Sequence, residues 1–148
     1  MSTPTPVLYD VRRVRGRREM AAALALRHEV FCVEQGVPSG EELDGRDGDG
    51  LHLVAVQDRE VLGTCRLLMV GPTAQLSRLA VAATVRRRGI ATSLLEAANE
   101  QTLATGGSRL VLHAQTYARG LYENAGYQPR GRAFVEAGIE HIAMEKQL

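Results

Sequence analysis

Cysteine is scarce in this chain, with two in 148 residues, and tryptophan is absent. Cys32 and Cys65 are too few for a disulfide scaffold and lack C-x-x-C spacing, which suits a reducing compartment and argues against a thiolate zinc site. Both read as small core residues. No run of 18 apolar residues occurs, and "MSTPTPVLYD" has no basic start leading into an apolar stretch. The expectation is a cytoplasmic protein with no membrane partner. Neither charge sign dominates: 18 Lys and Arg stand against 17 Asp and Glu, a net charge of +1. Such a balance exerts no global pull on nucleic acid. The two basic clusters, "RRVRGRR" and "VRRRG", have no aromatic residues interleaved, which argues further against a nucleic-acid partner. Internal repeats and linkers are also missing. Residues 1–6, rich in Ser, Thr and Pro, are expected to be loose. The remainder reads as one domain, 1–148, long enough to bury about two thirds of the surface its unfolded form exposes.

What is present is a regular alternation of patterns. A strand is expected over 7–14. A helix is expected over 17–35, with Met20, Leu24, Arg27, Phe31 and Glu34 on one face and Ala23, Leu26, Val30 and Val33 on another. Residues 36–50, "GVPSGEELDGRDGDG", hold five glycines, one proline and five carboxylates in fifteen residues. That composition predicts a long acidic loop without regular structure, of a length that is often functional. A hairpin follows, with strands at 51–57 and 60–70 around Asp58-Arg59. Gly71-Pro72 turns the chain into a strand ending at Val81. A helix carries Ile90, Leu94, Leu95, Ala98 and Leu103 and stops at Gly106-Gly107. "RLVLHAQ" reads as a buried strand and "ARGLYENAGY" as a short helix stopped at Gly126. Two final strands, 127–136 and 139–146, join through "EAG". The order β-α-ββ-β-α-β-α-ββ is that of an α+β domain with helices on the faces of a mixed sheet.

Between the strand ending at Val81 and the next helix lies "VRRRGIA". At a helix N-terminus the free N–H groups point outward with partial positive charge, and Gly89 removes the side chain that would hold a phosphate away. Successive amides there form an anion-binding nest, and arginines at its rim add charge-assisted bonds. The physics proposes a pyrophosphate, although G-x-G-x-x-G and G-x-x-x-x-G-K-[ST] are both absent. Arg86-x-x-Gly89-x-Ala91 resembles the R/Q-x-x-G-x-G/A signature of the GCN5-related N-acetyltransferases, the GNAT superfamily. "RLAV" resembles that family's fourth strand, and "QTYARGLYENAGY" its N-x-x-A-x-x-L-Y-E-x-x-G-F/Y element. The resemblance covers nearly the whole chain and implies a central mixed sheet of about seven strands flanked by about four helices.

It also implies acetyl-CoA as cosubstrate and assigns residues to it. Leu79, Ala80 and Val81 would pair with the pantetheine arm, and Arg86, Arg87, Arg88, Gly89, Ile90, Ala91 and Thr92 would surround the pyrophosphate. Ala118 falls in the same element. Gln115 stands where the family commonly has Asn. Tyr122 matches the tyrosine that protonates the departing thiolate, a transfer reasonable for a phenol of pKa near 10 and a thiolate near 8.5. The alternative for Tyr122 is simple packing.

The acceptor side is less defined. "LRHEVFCVEQGVPSGEELDGRDGDGLH" is similar to the N-terminal region of the ElaA-like and YjcF-like branch, in which the acceptor is poorly defined. Arg27, Glu34, Asp44, Asp47 and His113 are candidate acceptor contacts, with Glu42 or His52 as base through water and His113 as a further candidate base. The carboxylates would attract a cationic amine of a small molecule or, second, of a protein. Their bland alternative is a solvated acidic loop with His52 capping a strand, and for His113 a satisfied core histidine. No metal is expected, since "DGDG" places Leu51 where a third calcium ligand belongs. R-x-x-V-F, then Glu42, Asp44 and Asp47, then "CRLL" also resemble acyl-homoserine lactone synthases, which lack the R-x-x-G-x-A loop. A non-catalytic acyl-CoA sensor is the third alternative. Family members often pair through the last strands, so a homodimer is the expected assembly.

Overall fold

The computed structural model describes residues 8–148. The loose opening expected at 1–6 and the strand start at Val7 lie outside them. The first strand, β1, spans Asp10–Arg13, shorter than the expected 7–14. Helix α1 begins at Gly16, where Glu19 accepts a hydrogen bond from the Arg15 amide at 2.8 Å and pairs with Arg12 at 2.6 Å. These bonds place a carboxylate in the first turn, where the unpaired backbone N–H groups carry partial positive charge.

The expected 17–35 helix changes winding partway. α1 is α-helical over Gly16–Arg27 and continues in wider π-helical turns over His28–Glu34, closed by the Gln35 amide on the Val30 carbonyl at 3.2 Å. Its buried stripe is Ala23, Arg27 and Val30, drawn from both expected faces, while Val33 is exposed. Cys32 is half-buried and only Cys65 is a core residue, which corrects one of the two expectations. The 36–50 loop is likewise more regular than its composition suggests. A single helical turn, α2, spans Ser39–Glu42, with the Glu41 and Glu42 amides on the Pro38 carbonyl at 2.9 and 3.1 Å. A 3-10 turn follows at Asp47–Asp49.

Strands β2 (Leu51–Gln57), β3 (Glu60–Val70), β4 (Thr73–Val81), β5 (Arg109–Gln115), β6 (Gln128–Glu136) and β7 (Ile139–Gln147) complete a seven-stranded sheet in the order β1-β2-β3-β4-β5-β7-β6. Only β4 and β5 run parallel. Asp58 and Arg59 both have positive φ, the geometry of a two-residue hairpin turn that matches strand twist. Helices α3 (Ile90–Ala104) and α4 (Arg119–Asn124) lie over one face, and α1 covers the other through Ala23 against Val54 and Val61. α3 buries Ile90, Leu94, Leu95 and Ala98, and each fully buried large aliphatic contributes about 1.5–3 kcal/mol. The close approach requires Gly63, because a Cβ there would stand 2.8 Å from Ile90 Cγ2 and 3.0 Å from Leu94 Cδ1.

Candidate active site

β4 and β5 pair only over Thr73–Leu76 and Arg109–Leu112. Beyond that, β4 stays with β3 while β5 stays with β7 as far as Gln115 opposite His141. The two parallel strands therefore diverge, and a cavity of about 1440 Å³ opens beside them. β4 also bulges at this point. Ser77 faces Arg66 and Ala80 faces Thr64, so Arg78 and Leu79 stand opposite Cys65 alone, with Arg78 at φ +58°. A bulge re-aims the groups around it. Leu79, Ala80 and Val81 accordingly line the cavity.

The basic loop enters the same cavity from the start of α3. Arg87 and Gly89 take left-handed backbone at φ +61° and +84°. Inside α3 the first backbone bond is from the Ser93 amide to the Gly89 carbonyl at 3.0 Å, so the amides of Ile90, Ala91 and Thr92 precede the bonded part of the helix. A Cβ built on Gly89 meets nothing within 4 Å, so the cavity is open beside Gly89. Ile90, Ala91 and Thr92 line it too, whereas Arg88 does not. The arrangement suits a phosphate group on backbone amides.

Arg86 has a different setting from the one expected. Its two terminal nitrogens donate to Glu34 at 2.9 and 2.8 Å, and its Nε donates to the Val81 carbonyl at 3.0 Å. The bonds from Arg86 hold the Glu34 carboxyl below the usual range. Glu34, expected among the acceptor contacts, thus joins the end of α1 to the basic loop.

Tyr122 lines the cavity and is 8% exposed. Burial pushes its phenol well above its ordinary value, so it stays protonated. Its ring meets Tyr127 edge-on at 6.0 Å. Ala118 lines the same wall. The Gln115 amide donates to Gln35 at 2.8 Å, and Gln35 in turn reaches Tyr117 at 3.3 Å, closing a polar bridge across the cleft.

The acidic segment has its charges matched. Arg27, buried, donates to Glu42 at 2.5 Å and Asp47 at 2.7 Å. Arg66 donates to Asp44 at 2.8 and 2.9 Å and to Asp47 at 3.0 Å. Arg78 adds bonds to the Glu42 carbonyl at 3.0 Å and to Asp44 at 3.3 Å. The bonds from Arg66 hold Asp44 far below the usual carboxylate range. At Asp47 burial opposes the charge, but bonds from Arg27 and Arg66 outweigh it and lower its pKa. These carboxylates therefore form a neutralised frame, which corrects the expectation of an open acidic attractor. Glu42 and Asp44 reach the cavity, while Arg27, Asp47 and His52 stand outside its lining. His52 is buried with Nε2 2.9 Å from the Asp47 carbonyl. The residues that resemble acyl-homoserine lactone synthases are largely this frame.

His113 is not a core histidine. Its side chain is 54% exposed on the cavity wall, with Nδ1 2.8 Å from Glu136. Sequence reasoning passed over Gln35, Arg78, Tyr117, Glu136 and His141, all of which line the cavity. The one available signal was an arginine inside an apolar strand, as in "LSRLAV". Among the described residues no three His, Cys, Asp or Glu side chains converge as metal ligands would. No helix among them is long and apolar enough to cross a membrane.

A family model described as "Acetyltransferase (GNAT) domain" matches residues 19–148. The "Uncharacterized N-acetyltransferase YjcF" of Bacillus subtilis is 30% identical over 133 residues, 89% of this chain and 95% of that one. Protein ElaA of Escherichia coli is 27% identical over 136 residues, 88% of each chain. The crystal structure of an acyl-CoA N-acyltransferase from Pseudomonas aeruginosa superposes with a TM-score of 0.83 at 29% identity, covering 94% of this chain and 99% of that one.

Proposed function

The chain belongs to the GNAT acetyltransferase family, and from that premise we propose that it transfers an acetyl group from acetyl-CoA to a primary amine of a small molecule. The observation that carries this reading is the open amide cradle at Gly89, set beside the point where β4 and β5 part. The amides of residues 86–92 and the Arg87 side chain would hold the pyrophosphate. Leu79, Ala80 and Val81 offer the strand edge that β5 leaves free. The chain acts as one catalytic domain, and its two unpaired thiols suit the cytoplasm.

The acceptor amine attacks the thioester carbonyl, a C–N bond forms and the C–S bond breaks. Tyr122, kept protonated by burial, donates its hydroxyl proton to the leaving sulfur. Of the bases expected from sequence, Glu42 has cavity access but is bonded to Arg27, His52 lacks access, and His113 lines the cavity bonded to Glu136. Free-thiol release from acetyl-CoA across a panel of small primary amines tests the reading. Turnover with at least one amine is expected. Binding of acetyl-CoA without turnover would favour a sensor, and turnover only with S-adenosylmethionine and an acyl carrier would favour the lactone-synthase chemistry.

A further inference from the structure

His141 is buried in β7 at 8% exposure, yet it lines the cavity. Its Nδ1 lies 2.7 Å from the Ile139 carbonyl oxygen. A carbonyl oxygen can only accept, so Nδ1 must carry the hydrogen. In the neutral ring that leaves Nε2 as a bare lone pair, the form a general base needs. The ring plane is also held. Phe134, directly across in β6, stacks on it at 6.0 Å and 22°, and His113 packs edge-on against Phe134 at 4.9 Å.

The titratable groups around His141 are already engaged elsewhere. On β5, His113 is bonded to Glu136 of β6 at 2.8 Å. On β7, Glu140 accepts from Thr116 at 3.0 Å. Beyond β5, Tyr117 is bonded to Gln35. None of these bonds uses the His141 ring. Gln115, opposite His141 on β5, marks the mouth of the splayed cleft. His141 thus stands at the place where the two parallel strands have parted.

We propose that His141 is the general base of the acetyl transfer, an assignment that rests on the function proposed above. Nε2 takes one proton from the acceptor ammonium, directly or through one water, and the imidazolium keeps its Nδ1–H bond to Ile139. The neutral amine then attacks. As the adduct collapses, its second nitrogen proton replaces the one that Tyr122 gives to sulfur, so one proton in all passes to solvent.

Two measurements test the assignment. Nitrogen-15 spectra of the histidine-labelled full chain, with His141→Gln to identify the signals, should show that the neutral ring carries its proton on Nδ1 and leaves Nε2 bare; the opposite tautomer overturns the assignment. With the best amine of the panel, His141→Gln should lower kcat/KM about 100-fold at pH 7, the lower end of what general bases supply. Acetyl-CoA affinity should stay within about twofold. The deficit should shrink as pH approaches the pKa of the amine, which then arrives deprotonated, and added imidazole should restore part of the rate. An unchanged rate, a deficit constant with pH, or the same pH signature from His113→Gln instead overturns the role of His141 while leaving acetyl transfer intact. A wild-type chain that binds acetyl-CoA and acylates no amine overturns both readings together.

Discussion

The two walls of the cleft are built on different principles. On the side proposed to hold the donor, the groups are backbone amides at the head of α3, and the nearby ion pair between Arg86 and Glu34 is partly exposed. On the side proposed to face the acceptor, the groups are side chains from α1, α2, the 43–49 segment, β3 and β4, knitted into a partly buried network of Arg27, Arg66 and Arg78 with Glu42, Asp44 and Asp47. A backbone site needs only a local turn and a missing side chain. A side-chain site depends on which distant residues arrive as partners.

The contrast breaks most visibly in the buried network. Arg27→Ala leaves Glu42 without its closest cation, and removing one member of a buried pair costs about 3–5 kcal/mol. A urea midpoint shift of that order is expected, and a shift of under about 1 kcal/mol would show the frame to be dispensable. Gly89→Asp attacks the other wall without this penalty, since its Cβ meets no atom and the strain of left-handed backbone is about 1–2 kcal/mol. Acetyl-CoA binding measured by calorimetry should fall at least about 100-fold, or about 2.7 kcal/mol, through displaced and repelled phosphate. Unchanged affinity would refute the cradle.

Smaller effects sharpen the comparison. Tyr122→Phe should lower kcat about tenfold with acetyl-CoA affinity unchanged, because it removes a proton donor and not a binding surface. A wild-type rate would reduce Tyr122 to packing against Tyr127. Glu34→Gln should change stability by less than about 1 kcal/mol, as exposed pairs do, and tighten acetyl-CoA binding a few-fold by freeing the Arg86 fork. Weaker binding would make Glu34 a positioning group for the loop.

Hairpin turns, the order of elements along the chain and the α3 stop were legible because Asp58-Arg59, Gly71-Pro72 and Gly106-Gly107 act within a few residues of themselves. The winding change after Arg27 was not, since it accompanies burial of Arg27 against Glu42, fifteen residues away. Periodicity placed Arg27 on a helix face, but only its pairing explains how a guanidinium lies at 1% exposure. The acidic composition of residues 36–50 suggested attraction for a cation; three arginines supplied by α1, β3 and β4 reverse that meaning. His141 lies 26 residues from Gln115 in sequence and directly opposite it in the sheet.

By itself the sequence determined the element order, the family resemblance and the glycine turn that opens α3, because these depend on local spacing and on glycine's freedom at one turn. Only the tertiary structure decided which charges are paired, that Glu34 belongs with Arg86, that His52 stands outside the cavity, and that His141 lines it with Nδ1 against the Ile139 carbonyl. Charge and proton-transfer capacity are properties of pairs and surroundings. The chain acquires those when β4 and β5 part and the arginines of three elements meet the carboxylates of one loop.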